Sequence, residues 1–424
     1  MSNNNASITA EERRERLGLG VLFGAIYFIQ GIGEPTEGLI AQPVRSLLSS
    51  WGHSASDIAT FAALLSVPWV LKPLYGLVTD FVPIGGSRRR SYLLILSVVT
   101  SLALLYLYLN PPGPGSYGWL LVLLLVPTVG VAFSDVVADA LMVEKGQPRG
   151  ITGQLQSVQW GALYAATILT GFLGGYLSQH GHQEVGFLVC AVAVACTGLL
   201  AVFFVHEDYA PPADGGMHAA WGALRRTLGT RVLWGAAGFL FLWSFNPFSS
   251  AVLYLHMTRT LQLSEQFYGN SVSVLAVAAV IACIAYGFYC RRVPFKWLIH
   301  VAIVSGVAST LAYWALAGQA SAIAISAAAG FTYMTGTLIQ LDLAARVVAP
   351  QTAGTAFALL MAVSNLGFVA SAGLGGSLYD EWIARWGEIA AFDLLVAAGG
   401  LCTSACWLIV PWIRWQPNDR HAAA

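Results

Sequence analysis

The chain has 424 residues, of which 57% are apolar and only 10% charged, against about a quarter charged in soluble domains. That shortfall, with apolar runs of about 20 residues recurring along the chain, argues against a soluble enzyme or a nucleic-acid-binding protein and for an all-α polytopic membrane protein. The net charge is zero and informs only through its distribution across a bilayer.

Residues 1–17, MSNNNASITAEERRERL, are polar and lack a short apolar core with a small-residue cleavage site, so the first span is expected to be retained, not removed as a signal peptide. Twelve transmembrane helices are then expected, at 18–46, 56–80, 91–110, 117–144, 150–179, 184–205, 231–258, 264–291, 295–317, 320–348, 352–380 and 388–413. The longest polar connection, 206–230, divides them six and six, giving one half over 18–205, a second over 231–413 and a tail over 414–424.

Span 1 contains QGIGEPTEGL at 30–39. Pro35 removes a backbone donor, and irregular backbone at membrane depth survives only where protein or a water-filled cavity covers it. A broken, cavity-facing segment is expected, with Glu34 and Glu37 on one face. The alternative is a helix that ends early and leaves both glutamates in an outer loop with Arg45 as partner.

Span 4 places Asp135 and Asp139 four residues apart, hence on one helical face. Membrane carboxylates face a cavity, a partner or a proton. Asp135 is the deeper candidate for substrate or proton work, weighed evenly against a fixed pairing with Lys72; Asp139, nearer Glu144 and the surface, also has a structural reading. Gln156, Gln159 and Trp160 of span 5 are further polar and aromatic candidates.

Span 7 reads FLFLWSFNPFSSAVLYLHMTR, where Trp243 and Asn246 offer an aromatic face beside an amide, suited to a planar solute although packing is the commoner role. Asn246-Pro247 echoes Glu34-Pro35. Span 10 holds Gln340, Asp342 and Arg346, the last two spaced to pair with each other, and span 11 holds Asn365.

A constant offset of 201 aligns 153–177 with 354–378 without a gap and superposes LeuGlyGly at 173–175 on LeuGlyGly at 374–376. Spans 5 and 11 therefore read as copies, their glycines there for close helix packing. Two six-helix halves related by a repeat match secondary transporters that bind substrate near the midplane. With both termini cytoplasmic, 17 Lys and Arg fall inside and 3 outside, and Lys72 sits within a span. The six cysteines fall in or at the ends of spans and the eight histidines lack metal-ligand spacing, so no metal and no disulfide are expected.

Residues 68–92, PWVLKPLYGLVTDFVPIGGSRRRSY, resemble the signature of the folate-biopterin transporter family of the major facilitator superfamily, as do YFIQG at 27–31, SDVVADALMVE at 134–144 and GTAFALLMAVSNLG at 354–367. The sequence departs from that family at Ala353, where a glutamate is usual, and in the polar continuation of span 1. The resemblance implies a major facilitator fold and a cytoplasmic gate built from Asp80 and Arg88, Arg89 and Arg90, with Lys72 nearby; the arginines also simply hold their loop inside.

The expected protein is a non-enzymatic secondary transporter of the inner membrane. It would move an organic solute such as folate or a pterin by alternating access, coupled to protons, as a monomer with no cofactor. Transport of another amphipathic solute, such as a cell-wall fragment or drug, and a non-transporting assembly factor are the alternatives.

Overall fold

In hydrocarbon each span must close its own backbone hydrogen bonds, and the computed structural model is helical accordingly. The sole β contact among the described residues is an isolated bridge between Ile84 and Ser87. The structure describes residues 10–149, 151–207, 231–289, 292–347 and 353–413. Both tails, most of the 206–230 connection and the side chains of Asp80 and Arg346 lie outside the described residues, and with them the expected Asp80 gate and the Asp342–Arg346 pair.

The first half comprises α1 (Ala10–Gly33), α2 (Ala41–Ser50), α3 (Ala55–Val70), α4 (Lys72–Phe81), α5 (Arg90–Leu109), α6 (Tyr117–Gly146), α7 (Thr152–Gln179) and α8 (Gln183–Phe204). The second comprises α9 (Arg231–Ser244), α10 (Ser250–Leu255), α11 (Glu265–Tyr289), α12 (Phe295–Leu311), α13 (Gln319–Val347), α14 (Ala353–Trp386) and α15 (Glu388–Ser404). Ten stretches among the described residues are long and apolar enough to cross a membrane. The expected fifth and seventh spans are not among the ten: α7 is 28 residues long but carries glutamines and glycines, and the seventh is divided into α9 and α10.

Both breaks follow from proline. Pro35 cannot continue the ladder of α1, and the chain turns through residues 34–40 before α2 begins. Only glycine fits at position 38, where a Cβ would lie 2.4 Å from Glu34 O and 2.7 Å from Ile32 O. In the second half, Pro247 separates α9 from α10 in the same way. The side chain before each proline closes its turn: Glu34 Oε1 accepts from Thr36 N at 2.9 Å and Asn246 Oδ1 from Phe248 N at 3.0 Å.

The repeated LeuGlyGly explains how the halves are assembled. The first glycine of each pair receives its own half's broken helix: a Cβ on Gly174 would meet Leu39 O at 3.0 Å, and one on Gly375 would meet Pro247 O at 1.9 Å. The second receives the opposite half, Gly175 against Gly269 Cα at 3.1 Å and Gly376 against Ala59 Cβ at 2.5 Å. Two seams result, α7 along α11 and α14 along α3.

The two ends of the bundle differ. One end gathers the arginines: Arg149 pairs with Glu15 at 3.3 Å and Arg89 with Glu144 at 2.7 Å. There each half keeps its own apolar core, around Phe23, Tyr27 and Leu141 in the first and Phe239, Leu298 and Leu360 in the second. At the opposite, far end a single core takes side chains from both halves, including Phe61, Phe187, Tyr254, Tyr379 and Phe392. The halves are thus packed together at the far end. Toward the basic end a smaller contact joins Trp160 and Tyr164 to Ala279, Ala282 and Met334.

Candidate functional site

Midway along the first half, α1, α4, α6 and α7 direct polar side chains at one another. Asp135 is 3% exposed; its Oδ2 lies 2.5 Å from Lys72 Nζ and its Oδ1 accepts from Gln30 Nε2 at 2.6 Å. One turn on, Asp139 Oδ1 accepts from Tyr27 OH at 2.5 Å and from Gln159 Nε2 at 3.1 Å. Of the two possibilities for Asp135, the pairing with Lys72 is the one present. The donors that hold Asp139, Tyr27 and Gln159, are neutral, whereas Asp135 has the ammonium.

Lys72 owes its place to a local fault in the helix. Pro73 has no N–H to offer the carbonyl four residues earlier, that of Trp69, and the chain turns at Leu71 between α3 and α4. The orphaned Trp69 carbonyl accepts instead from Asn365 Nδ2 of α14, at 3.0 Å, which ties the second half to the site. The Lys72 ammonium sits 4.6 Å from the centre of the Trp69 ring, a cation–π distance.

The second half carries a separate polar group on α13, α14 and α9. Gln340, 6% exposed, donates to Ser364 Oγ at 3.0 Å, and Ser364 bonds Ser244 at 2.6 Å. Gln156 is exposed, while Gln159 reaches Asp139. Trp160 stacks on Tyr164 with ring centres 6.2 Å apart, at the seam between the halves.

Trp243 is placed differently from its expected aromatic face: it is 8% exposed and fills notches on two other helices, where a Cβ on Gly336 would come within 2.1 Å of its ring and one on Gly306 within 3.0 Å. Asn246 is occupied with its turn and with Thr310, at 3.3 Å.

Glu34 and Glu37 do not share a helical face, because α1 ends at Gly33 and both lie in the turn, as in the alternative reading. Glu34 is buried and spends its carboxylate on that turn, accepting from Thr36 N, Thr36 Oγ1 and Glu37 N. Glu37 is 3.7 Å from Arg45 and 62% exposed, but into a cleft walled by Ala59, Ser66, Ser249 and Phe368, where the two broken segments face each other.

The expected gate arginines have their described partners in the first half. Arg89, 4% exposed, reaches Glu144 and Thr79 Oγ1, the latter at 2.7 Å. Arg90 donates to Val202 O at 2.9 Å, and Glu207 accepts from the backbone N–H groups of both.

Sequence reasoning missed Tyr27, Gln30 and Trp69, although Tyr27 and Gln30 stand three apart on one face of an apolar helix, a legible signal. It also missed Glu265 at the far end. There Glu265 accepts from Gln42 Nε2 at 3.1 Å, from Ser46 Oγ at 3.2 Å and from Tyr254 OH, joining α2 of the first half to α10 and α11 of the second. Arg259 to Ser49, at 2.9 Å, and Ser56 N to Asp380, at 2.8 Å, are further far-end contacts.

With this geometry in view, residues 37–422 match the model of the BT1 family. The folate-biopterin transporter of Synechocystis sp. is 27% identical over 395 residues, 85% of this chain and 74% of that one. Probable folate-biopterin transporter 4 of Arabidopsis thaliana is 34% identical over 185 residues, 43% of this chain and 37% of its own length. Among solved structures, a mutant of the nucleoside transporter NupG matches with a TM-score of 0.72 at 12% identity, covering 92% of this chain and 99% of its own. A D-xylose-proton symporter matches at 0.68 and 13%, covering 95% and 99%. The structural likenesses are to the fold, that of major facilitator transporters. The family model spans most of the chain, and the protein is a multi-pass membrane transporter, not an enzyme, belonging to the BT1 family, that of the folate-biopterin transporters.

Proposed function

We propose that the chain moves folate, a pterin or a related conjugated solute across the cell membrane by alternating access, driven by protons. The observation that supports this best is the Lys72–Asp135 pair with Asp139 beside it, set midway along the first half of a transporter fold. A scaffold has no use for three ionisable side chains at that depth, each of which is costly in a bilayer. The basic end is taken as cytoplasmic by the positive-inside rule, so the packed far end faces out and the solute is reached from within. Names among its relatives support the solute class, and a proton symporter among the structures of like fold accords with the coupling.

The test uses purified full-length protein in liposomes. Labelled folate and biopterin are offered with an imposed pH difference, and counterflow is followed without one. Accumulation driven by the pH difference, reduced at least tenfold in the double variant D135N/D139N, is the expected result. Absence of counterflow with every folate and pterin offered would overturn the solute assignment. Wild-type accumulation indifferent to the pH difference would overturn the coupling.

A further inference from the structure

We propose that the cargo presents a carboxylate to Lys72, taking the place of Asp135, and that the displaced Asp135 carries the co-transported proton. This rests on the transport function proposed above and specifies both the substrate chemistry and the coupling residue.

Three observations carry it. First, the ion pair is one-sided: the Lys72 side chain is 18% exposed and that of Asp135 only 5%. An incoming group meets the ammonium first, with the carboxylate behind it. Second, a donor beside Lys72 lacks an acceptor. The Nε1–H of Trp69, the indole under the ammonium, is buried without a hydrogen-bond partner among the described residues. Buried donors are nearly always satisfied, and one left open beside a cation is complementary to an acceptor-rich anion. Third, Asp135 keeps a donor when Lys72 leaves, because Gln30 Nε2 from α1 holds its other oxygen.

The charge balance then fixes the coupling. The groups facing Asp135 are Lys72 from α4, Tyr27 and Gln30 from α1, and Asp139 on its own helix, which Gln159 of α7 also contacts. That is one cation and two carboxylates. A bound carboxylate would make three, at a depth where uncompensated charge is costly. The step balances when one solute carboxylate and one proton enter together. The anion takes the Lys72 ammonium, the proton goes to the released Asp135 oxygen, and the Lys72–Asp135 pair re-forms when both leave. A cargo with a single carboxylate therefore crosses with one proton and no net charge.

The experiment uses the full chain in detergent and in liposomes with two kinds of probe. Benzoate and its uncharged amide, benzamide, report on the anion site whatever the natural cargo is; folate, which carries carboxylates, reports on the cargo, and biopterin, which has none, is expected to gain no affinity from Lys72. Wild type is expected to bind benzoate at least tenfold more tightly than benzamide, with affinity rising about tenfold per unit fall in pH, the linkage of one proton to one anion. K72Q should lose the preference for benzoate. D135N should retain it, lose its pH dependence and exchange anion by counterflow without accumulating it under a pH difference. The double variant K72Q/D135N removes both charges together; a melting temperature near wild type, with the preference still absent, separates loss of the site from loss of the fold.

The proposal is overturned if K72Q still prefers benzoate, if D135N keeps the one-proton dependence, or if that dependence disappears in D139N and not in D135N. Benzoate binding as expected without binding of folate overturns the cargo assignment and leaves the exchange standing. Folate transport with pH-driven accumulation intact in D135N does the reverse.

Discussion

Adjacent glycines on α14 face different partners, and replacing each with alanine should have different consequences. A methyl at Gly376 would lie 2.5 Å from Ala59 Cβ and 3.0 Å from both Ala55 O and Ser56 Cα, all across the seam in the first half. None of these atoms belongs to a flexible side chain, so the helices must move apart, and overpacking of this kind costs about 1–3 kcal/mol. The cost falls only on the conformation in which the far ends are together. The equilibrium should therefore shift about 5–150-fold toward opening there. A methyl at Gly375 would lie 1.9 Å from Pro247 O, inside the second half, where the contact persists however the halves rock. G375A should lower the melting temperature and leave the equilibrium alone. The assay places a single cysteine at Ser66, which is 4% exposed and lines the cleft below the far-end contacts, in a cysteine-free background. A membrane-impermeant maleimide is then added from the far side. Labelling at least fivefold faster in G376A, and unchanged in G375A, is expected. Equal labelling rates in the two variants would refute the assignment of the glycines to different contacts.

Three further outcomes follow from the geometry. E34A strands the N–H groups of Thr36 and Glu37 that the carboxylate now satisfies, a loss of about 1–3 kcal/mol for each stranded donor visible in the denaturation midpoint, whereas E34Q keeps an oxygen for one of them and should lose about half as much. If E34Q melts above E34A but loses pH-driven uptake, Glu34 does more than close its turn. W243A should lower the melting temperature steeply, by about 3–5 kcal/mol of stability, because the ring fills the notches of Gly306 and Gly336; a variant that melts normally but fails to bind solute would put the ring in the site after all. E265A removes the acceptor shared by Gln42, Ser46 and Tyr254, and with charged hydrogen bonds worth about 1.5–3 kcal/mol the Ser66 cysteine should be labelled about tenfold faster or more from the far side; an unchanged rate would show that Glu265 does not hold that end.

The helices, the internal repeat and both proline breaks were legible in the sequence because each has a one-dimensional cause: an apolar run, an offset, a missing N–H. The direction in which each glycine faces was not, since neighbours in a helix point about 100° apart and only the packing says which meets the other half. The same limit explains the site. Asp135 and Lys72 could be matched by depth alone, and the pair was foreseen as one of two possibilities. Trp243 looked like a stacking surface because its seat is cut by glycines on two distant helices. Glu265 escaped notice because an acidic residue in the first turn of a helix is ordinary, and its partners Gln42 and Ser46 belong to a segment, AQPVRSLLSS, whose burial no hydropathy scale would anticipate.

The two halves also separate mechanics from chemistry. What both copies keep is the break, the side chain that closes it and the paired glycines that seat it, and Asn246 shows that an uncharged amide is sufficient to close such a turn. Glu34 differs in using both carboxylate oxygens, one for Thr36 and one for Glu37. The ionic cluster of Lys72, Asp135 and Asp139 lies in the first half, and the second half reaches it through the uncharged amide of Asn365, on the Trp69 carbonyl. A solute bridging the halves would present its charged end to the first and its neutral, hydrogen-bonding end to the second. Rocking about the seams then changes the access to a charge pair whose own helices need not move relative to one another.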